Sequence, residues 1–340
     1  MISPQKDKLT LSSLVIDWYK SQGRVDLPWR HNISPYSVWI SEIMLQQTQV
    51  KTVIPYYLRF LKEHPTLESL FEATEDEVIA LWSGLGFYRR ARNIFKAKEI
   101  IKTEFNNQFP QNFDDLKALP GIGESTAGAI MSIAYQKSYP ILDANVKRVL
   151  SRYSNINEQS TSKRDKQLWE ISREVTPVTG IFEYTQGIMD LGSMVCKPKE
   201  PNCVVCPLSK ICDSVFQIKD LPKVSKILKI KPVRDIQFTL AYTKSHFLLF
   251  KRDEETFWNG LWLPSEYPRN HKIIKSKSST QKTLKQKHQL THLELNLSIN
   301  LLRYNTIFEI KTNTEHRWIK KSDIDSVGMP APIKKIILNL

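Results

Sequence analysis

Residues 119–130 read Leu119-Pro120-Gly121-Ile122-Gly123-Glu124-Ser125-Thr126-Ala127-Gly128-Ala129-Ile130. The pattern predicts one helix ending near Leu119, a tight turn, and a second helix opening on small residues. Gly121 and Gly123 permit backbone conformations that a side chain forbids. Such a turn points successive backbone N–H groups outward at a helix N-terminus, where the peptide dipoles add positive potential. A phosphate fits that cradle, and no base is read there. The same punctuation also suits a plain helix–helix corner, so its meaning depends on what surrounds it.

With the helices on either side, the segment is a helix–hairpin–helix, a signature of sequence-independent DNA binding. Helical periodicity covers 9–22, 36–50, 51–63, 75–82, 88–105, 124–136, 144–152, 164–175 and 181–192, with no strand alternation in the first 212 residues. Near residue 235 the period changes. Residues 237–243 and 246–252 read as a hairpin, and Leu293, Leu295, Leu297, Ile299 and Leu301 alternate with polar residues as on a half-buried strand. Further strands are expected at 305–311 and 316–320, with a closing helix at 331–339. The fold class is therefore multidomain, α then α/β.

The chain of 340 residues is long enough for two to three domains. At 41% hydrophobic and 25% charged residues it is too apolar for a disordered protein. No apolar run approaches the ~18–20 residues that span a bilayer. The N-terminal MISPQKDKLTLSS lacks the apolar core of a signal peptide, so a cytoplasmic, membrane-free chain is expected. The net charge is +14, and residues 221–234 and 269–288 hold five and seven basic side chains with no acid, which is +12 of it. Such a balance points to a polyanion partner, unless the two stretches are simply solvated Lys-rich linkers.

All 4 cysteines, Cys196, Cys203, Cys206 and Cys212, lie in one C-x6-C-x2-C-x5-C loop. One short loop is not a disulfide framework. Four thiolates around a point describe tetrahedral zinc or an iron–sulfur cluster. Zinc sites usually pair two short knuckles, whereas here only Cys203 and Cys206 form one. The wider gaps favour a [4Fe–4S] cube.

Two carboxylates stand out. Asp143, in Ile141-Leu142-Asp143-Ala144-Asn145-Val146-Lys147-Arg148, sits where a helix starts. Its plain role is an N-cap, yet a carboxylate held by helix N–H groups beside a bound phosphodiester could stay ionised. Glu42 lies in Trp39-Ile40-Ser41-Glu42-Ile43-Met44-Leu45-Gln46-Gln47-Thr48-Gln49-Val50. At ~100° per residue, Trp39, Ile40, Ile43, Met44 and Val50 share a face that includes Gln47. Glu42 sits at its edge near Gln46 and Gln49. That patch suits either a pocket for a flat polar ligand or a solvated helix edge. In 81–93, Leu81-Trp82-Ser83-Gly84-Leu85-Gly86-Phe87-Tyr88-Arg89-Arg90-Ala91-Arg92-Asn93, a glycine-shaped turn carries two aromatics at its tip and arginines behind. An aromatic wedge into a base step, with arginines on phosphates, fits this pattern. So does a buried aromatic turn with a basic solvent face.

LPWR at 27–30, SEIMLQQTQV at 41–50, LWSGLGFYRRARN at 81–93, LPGIGESTAGAI at 119–130, ILDANVKR at 141–148 and the cysteine loop occur in that order. Together they resemble the adenine DNA glycosylases of the MutY type, in the endonuclease III superfamily, densely over residues 9–213. The resemblance implies an all-helical glycosylase with a [4Fe–4S] loop. It also implies removal of adenine mispaired with 8-oxoguanine or guanine in double-stranded DNA. Residues 1–31 with 141–213 would form the cluster domain and 32–140 the helix–hairpin–helix domain. A basic linker at 214–235 would lead to a Nudix-like domain at 236–340. Catalysis falls to Glu42 as general acid, toward N7 in the family's mechanism, and to Asp143 as the anion that steadies a cationic sugar. Asn145 assists. Ser125 stands where strand-cutting relatives carry a Schiff-base lysine, so lyase activity is not expected. DNA contacts are expected from Gln46, Gln47, Gln49, Phe87, Tyr88, Arg92, Gly121, Gly123, Lys147, Arg148, Lys197 and Lys199. The enzyme is expected to be a monomer.

An unperturbed Glu, at pKa ~4.3, is protonated in roughly one molecule in 500 at pH 7, a deficit of ~3.7 kcal/mol. Burial toward ~6 would remove most of it. In the C-terminal part, Phe257-Trp258-Asn259-Gly260-Leu261-Trp262-Leu263-Pro264 resembles the family's Gly/Trp loop. His288-Gln289-Leu290-Thr291-His292 stands at its Phe-Ser-His element, placing Thr291 and His292 on 8-oxoguanine. Leu290 and Thr291 depart from that element, Phe87 replaces a tyrosine and Ala144 a glycine. The acidic Nudix box is absent, so no pyrophosphatase activity is expected. The stretch 265–287 is short and polar for the fold, as if a helix were missing. Two other readings remain: a bifunctional glycosylase/lyase, and a catalytically silent iron–sulfur DNA-binding protein.

Overall fold

The computed structural model describes residues 8–217, 231–253, 257–268, 281–290 and 293–340. Its contacts divide the chain into two units, Met1–Glu72 with Lys96–Ser225, and Ala73–Phe95 with Lys226–Leu340.

The first unit is helical: α1 (Lys8–Gln22), α2 (Pro35–Leu45), α3 (Val50–Glu63), α4 (Leu67–Phe71), α7 (Phe113–Ala118), α8 (Glu124–Ile133), α9 (Ala144–Tyr153), α10 (Thr161–Val175) and α11 (Ile181–Met194). Helix α5 (Glu75–Trp82) belongs to the second unit, and α6 (Arg89–Glu104) begins in the second unit's range and ends in the first's. The core of the first unit is apolar and continuous in kind, with Trp39, Phe60, Ile130, Leu150 and Leu191 fully buried. Helices α7 and α8 frame the glycine turn, where Gly121 adopts φ 85°. That is the left-handed conformation only glycine takes freely.

Two expectations change here. Helix α2 stops at Leu45 because Gln46 leaves the helical region and Gln47 takes φ 56°. The Thr48 N–H then closes the turn on the Leu45 carbonyl at 3.2 Å, and Thr48 Oγ1 donates to the Gln46 carbonyl at 3.3 Å. Gln46, Gln47, Gln49 and Val50 therefore do not share a helical face with Trp39. The helix expected to end near Leu119 is α7, whereas the short helix α4 was not anticipated.

In the second unit, β1 (Val233–Tyr242), β2 (His246–Lys251), β3 (Trp262–Leu263), β4 (Ser265–Glu266), β5 (Gln281–Gln289), β6 (Glu294–Arg303) and β7 (His316–Lys320) form one mixed sheet, with α12 (Ala331–Leu338) closing the chain. The central order is β3-β2-β1-β6-β5, with β4 beside β1 and β7 beside β2. Strands β1 and β6 pair in parallel, Phe238 opposite Ile299, and the rest are antiparallel. Residues 305–311 are not a strand. The Phe308 carbonyl accepts from Trp318 Nε1 at 2.9 Å instead of joining a ladder, and the Phe308 ring packs on Tyr304 and Trp318. The expected polar gap 265–287 runs into the edge strand β5, which spans Gln281–Gln289. Among the described residues, no helix is long and apolar enough to cross a membrane.

Candidate active site

Helix α2 starts sharply. Ser34 caps it by a reciprocal box with Ser37, and Pro35 takes the first turn. Its apolar residues Val38, Trp39, Ile40, Ile43 and Met44 are buried, which fixes its rotation and leaves Glu42 at the edge of the packed face. Helix α9 is anchored by Val146, Val149, Leu150 and Tyr153. Its N-cap is Asp143, whose Oδ1 accepts from the Val146 N–H at 2.8 Å and whose Oδ2 accepts from Asn145 Nδ2 at 3.0 Å.

The charge of Asp143 is felt at Glu42. Burial first, then the charge of Asp143, pushes Glu42 up to about 7, while Arg30 pulls the other way. Glu42 keeps some contact with solvent, yet protein surrounds its carboxyl densely. Burial also raises Asp143, opposed by the Val146 N–H, by Asn145 and by Arg148. Where the charge of one carboxylate raises another, the proton is shared unevenly. Donors converge on Asp143 and favour its anion. No hydrogen bond to the Glu42 side chain is present among the described residues. The proton therefore belongs on Glu42, at a pKa higher than the ~6 the sequence suggested.

Ser125, the second residue of α8, accepts the Leu142 N–H on its hydroxyl at 2.9 Å and so holds the segment that delivers Asp143. Gln46 Nε2 donates to the Gly121 carbonyl at 3.3 Å. Gln47 and Gln49 are exposed, and a Cβ on Gly123 would meet nothing within 4 Å. The turn is thus open to a partner from outside. Lys197 and Lys199 are exposed too. Lys147 instead pairs with Asp165 at 2.6 Å. Arg148, expected on phosphates, turns inward: Nη2 donates to the Gly192 carbonyl at 2.6 Å and to Asn145 Oδ1 at 2.9 Å, and Nε to the Cys196 carbonyl at 2.7 Å. Those carbonyls end α11 and begin the cysteine loop, where a guanidinium fork replaces missing backbone donors.

In the second unit, Phe87 is 44% exposed at φ 50°, with Arg90 stacked beneath its ring at 5.2 Å. Tyr88 is not at the tip. Its hydroxyl donates to the Met329 carbonyl at 3.1 Å, and Ser83 brackets Met329 from both sides. Arg92 Nη1 donates to the Asn259 carbonyl. Thr291 and His292 lie outside the described residues.

None of the four cysteines is joined in a disulfide. All line one cavity with about 320 Å³ of atom-free space, part of it open to solvent. Arg152 Nη1 donates to Cys196 Sγ at 3.3 Å and to the Lys197 carbonyl at 2.7 Å. Among the described residues no group of three or more His, Cys, Asp or Glu side chains is already arranged as a single-ion site. Sequence reading missed Arg152, and also Arg24, Arg30 and Asp190, which form a buried ionic group beside the site. The one signal for Asp190 was an acid amid the apolar residues Ile188, Met189 and Leu191 of α11.

A family profile for HhH-GPD superfamily base excision DNA repair proteins matches residues 40–174, and a NUDIX domain profile matches 238–339. The adenine DNA glycosylase of Buchnera aphidicola subsp. Acyrthosiphon pisum (strain APS) is 38% identical over 342 residues, covering 98% of either chain. That of B. aphidicola subsp. Baizongia pistaciae (strain Bp) is 36% identical over 344 residues, covering 98% of this chain and 97% of the relative. A solved thermostable thymine-DNA glycosylase superposes with TM-score 0.57 at 26% identity, over 62% of this chain and 97% of its own. The class is thus a helix–hairpin–helix DNA-repair fold followed by a Nudix-like unit. Within it, the chain belongs to the adenine DNA glycosylase family and is an enzyme, a DNA glycosylase hydrolysing N-glycosidic bonds.

Proposed function

We propose that this enzyme removes adenine mispaired with 8-oxoguanine or guanine from double-stranded DNA by acid-assisted hydrolysis, without efficient strand cleavage. The supporting observation is the carboxyl pair: Glu42 raised to about 7 with no donor on its carboxyl, and Asp143, itself raised by burial, held by the Val146 N–H and Asn145. The target base leaves the duplex at a cost of a few kcal/mol, least at a mismatch. Glu42 delivers its proton to the adenine as the C1′–N9 bond breaks, so the electron pair leaves on a neutral base. Asp143 faces the sugar cation that develops. Water then adds to C1′ and its proton passes to a carboxylate, which leaves an abasic site. Asn145 aims Asp143. Ser125, a hydroxyl engaged by the Leu142 N–H, offers no amine for a Schiff base.

Gly121, Gly123, Gln46, Gln47, Gln49, Lys197 and Lys199 would bind the strand around the site. Phe87 would wedge the stack, while Tyr88 and Arg92 hold its turn. Lys147 and Arg148 act by ordering α9 more than by touching phosphate. Thr291 and His292 would read 8-oxoguanine.

The cysteine loop suits a [4Fe–4S] cluster. Its four cysteines line one cavity, and Arg152 donates toward Cys196 as a countercharge to thiolate. Without such countercharge burial pushes the Cys206 thiol up to about 11. When bound, the cluster would order the loop and so present Lys197 and Lys199. The working state is a cytoplasmic monomer.

Single-turnover assays on duplexes with adenine opposite 8-oxoguanine, guanine or thymine test this. Adenine release opposite the first two, with strand breakage only after alkali, is expected. Breakage without alkali would make the enzyme bifunctional, and tight binding without product would make it catalytically silent.

A further inference from the structure

Asp190 takes no part in the mechanism above, yet it is the most completely enclosed acid near the site, with no exposed surface. It accepts the Arg24 N–H at 2.9 Å and Arg24 Nε at 2.9 Å, with Arg24 Nη2 also on Oδ1. From Arg30 it accepts Nη1 at 2.7 Å and Nη2 at 2.9 Å. Arg30 is only 4% exposed on its side chain, and its guanidinium also lies 5.4 Å from the Tyr19 ring centroid. Burial alone would raise Asp190, but Arg30 and Arg24 hold its carboxyl below the usual range, so it is an anion. The charged groups that act on Glu42 are Asp143 and Arg30. Those acting around Asp190 are Arg24, Arg30 and Tyr19, with Glu183 also felt at Tyr19.

The arrangement is therefore a chain of alternating charge. An unopposed buried guanidinium favours the ionised form of a nearby acid, which would empty Glu42 of the proton it has to deliver. A guanidinium gripped by a buried carboxylate does so far less, and it cannot swing toward Glu42. We propose that Asp190 is a positioning residue for base excision: it pins Arg30 and cancels its charge, so that the proton stays on Glu42. This rests on the reading of Glu42 as the acid.

The test is the pH dependence of single-turnover adenine release from an adenine·8-oxoguanine duplex, between pH 5.5 and 9. In the wild type the rate falls as pH rises past the Glu42 titration. Asp190→Asn is expected to move that alkaline limb down by about one unit, about tenfold slower at pH 8, with little change on the acid side. Arg30→Gln, which leaves the Arg24–Asp190 pair in place, is expected to move it up. Asp190→Glu restores the wild-type limb. If Asp190→Asn does not fold, the direction of the Arg30→Gln limb decides alone. Limbs that stay put while rates fall equally at every pH, or that move in the same direction, overturn the proposal. A wild type that excises adenine without an alkaline limb overturns the Glu42 reading and this proposal together.

Discussion

Glu42 holds its proton at a cost to the fold. Its carboxyl is raised from 4.5 to about 7, so its contribution to stability is fully present below pH 4.5 and is lost as pH rises through 7. The loss is at most about 3 kcal/mol on the alkaline side. Glu42→Gln, neutral at every pH, should melt a few degrees higher than wild type at pH 8 and at nearly the same temperature near pH 4.5. Differential scanning calorimetry at the two pH values checks the sign, and equal melting at pH 8 would mean that the carboxyl is not strained. Position 42 was legible in the sequence because its neighbours Trp39, Ile43 and Met44 set a packed face beside it. What raises its pKa was only half legible. Burial follows from that face, but Asp143, Arg30 and Asp190 meet only in the fold, and the Arg30–Asp190 bonds span 160 residues.

Helix ends placed the chemistry, and most were written in the sequence. Thr74 with Glu77 caps α5, and Asp143 caps α9. The missed helix α4 carries an equally plain cap, Thr66 with Ser69, but it spans 5 residues, too few for an apolar period to show; α7, also short at 6 residues, was legible from its stop at Leu119. Strand β5 was missed because its half-buried positions, such as Gln286 and His288, are polar, and lysines line its exposed edge. The false strand at 305–311 arose from aromatics that stack on one another rather than alternate across a sheet.

One close approach between elements is testable. At Gly192 of α11 a Cβ would come within 2.7 Å of Asn145 Cβ and 2.9 Å of its carbonyl oxygen. Gly192→Ala must therefore push the first turn of α9, and Asp143 with it, away from α11. We expect a loss of about 1–3 kcal/mol in stability and at least tenfold in single-turnover excision, since a small misplacement of a catalytic group costs more than its packing. Unchanged excision would show that Asp143 does not need that register.

For the whole molecule, charge sets how DNA is found. The two basic windows supply +12 of a net +14, and Lys282, Lys285 and Lys287 of the second are exposed on β5. Affinity for undamaged duplex should fall by about 10³ or more between 50 and 200 mM salt if some six phosphates are neutralised. Changing all three β5 lysines to Gln should lower the slope of log K against log salt by about 0.9 for each that meets a phosphate. An unchanged slope would assign those lysines to guarding a sheet edge instead.

The account stands on a proton at position 42 and an anion at position 143 serving one base. The most direct measurement is single-turnover adenine release from an adenine·8-oxoguanine duplex by Glu42→Gln, alongside its affinity for the same duplex. Binding within a few fold of wild type, with release slowed by at least about 10³ because no proton can be delivered, is the predicted result. Release within about tenfold of wild type would contradict it.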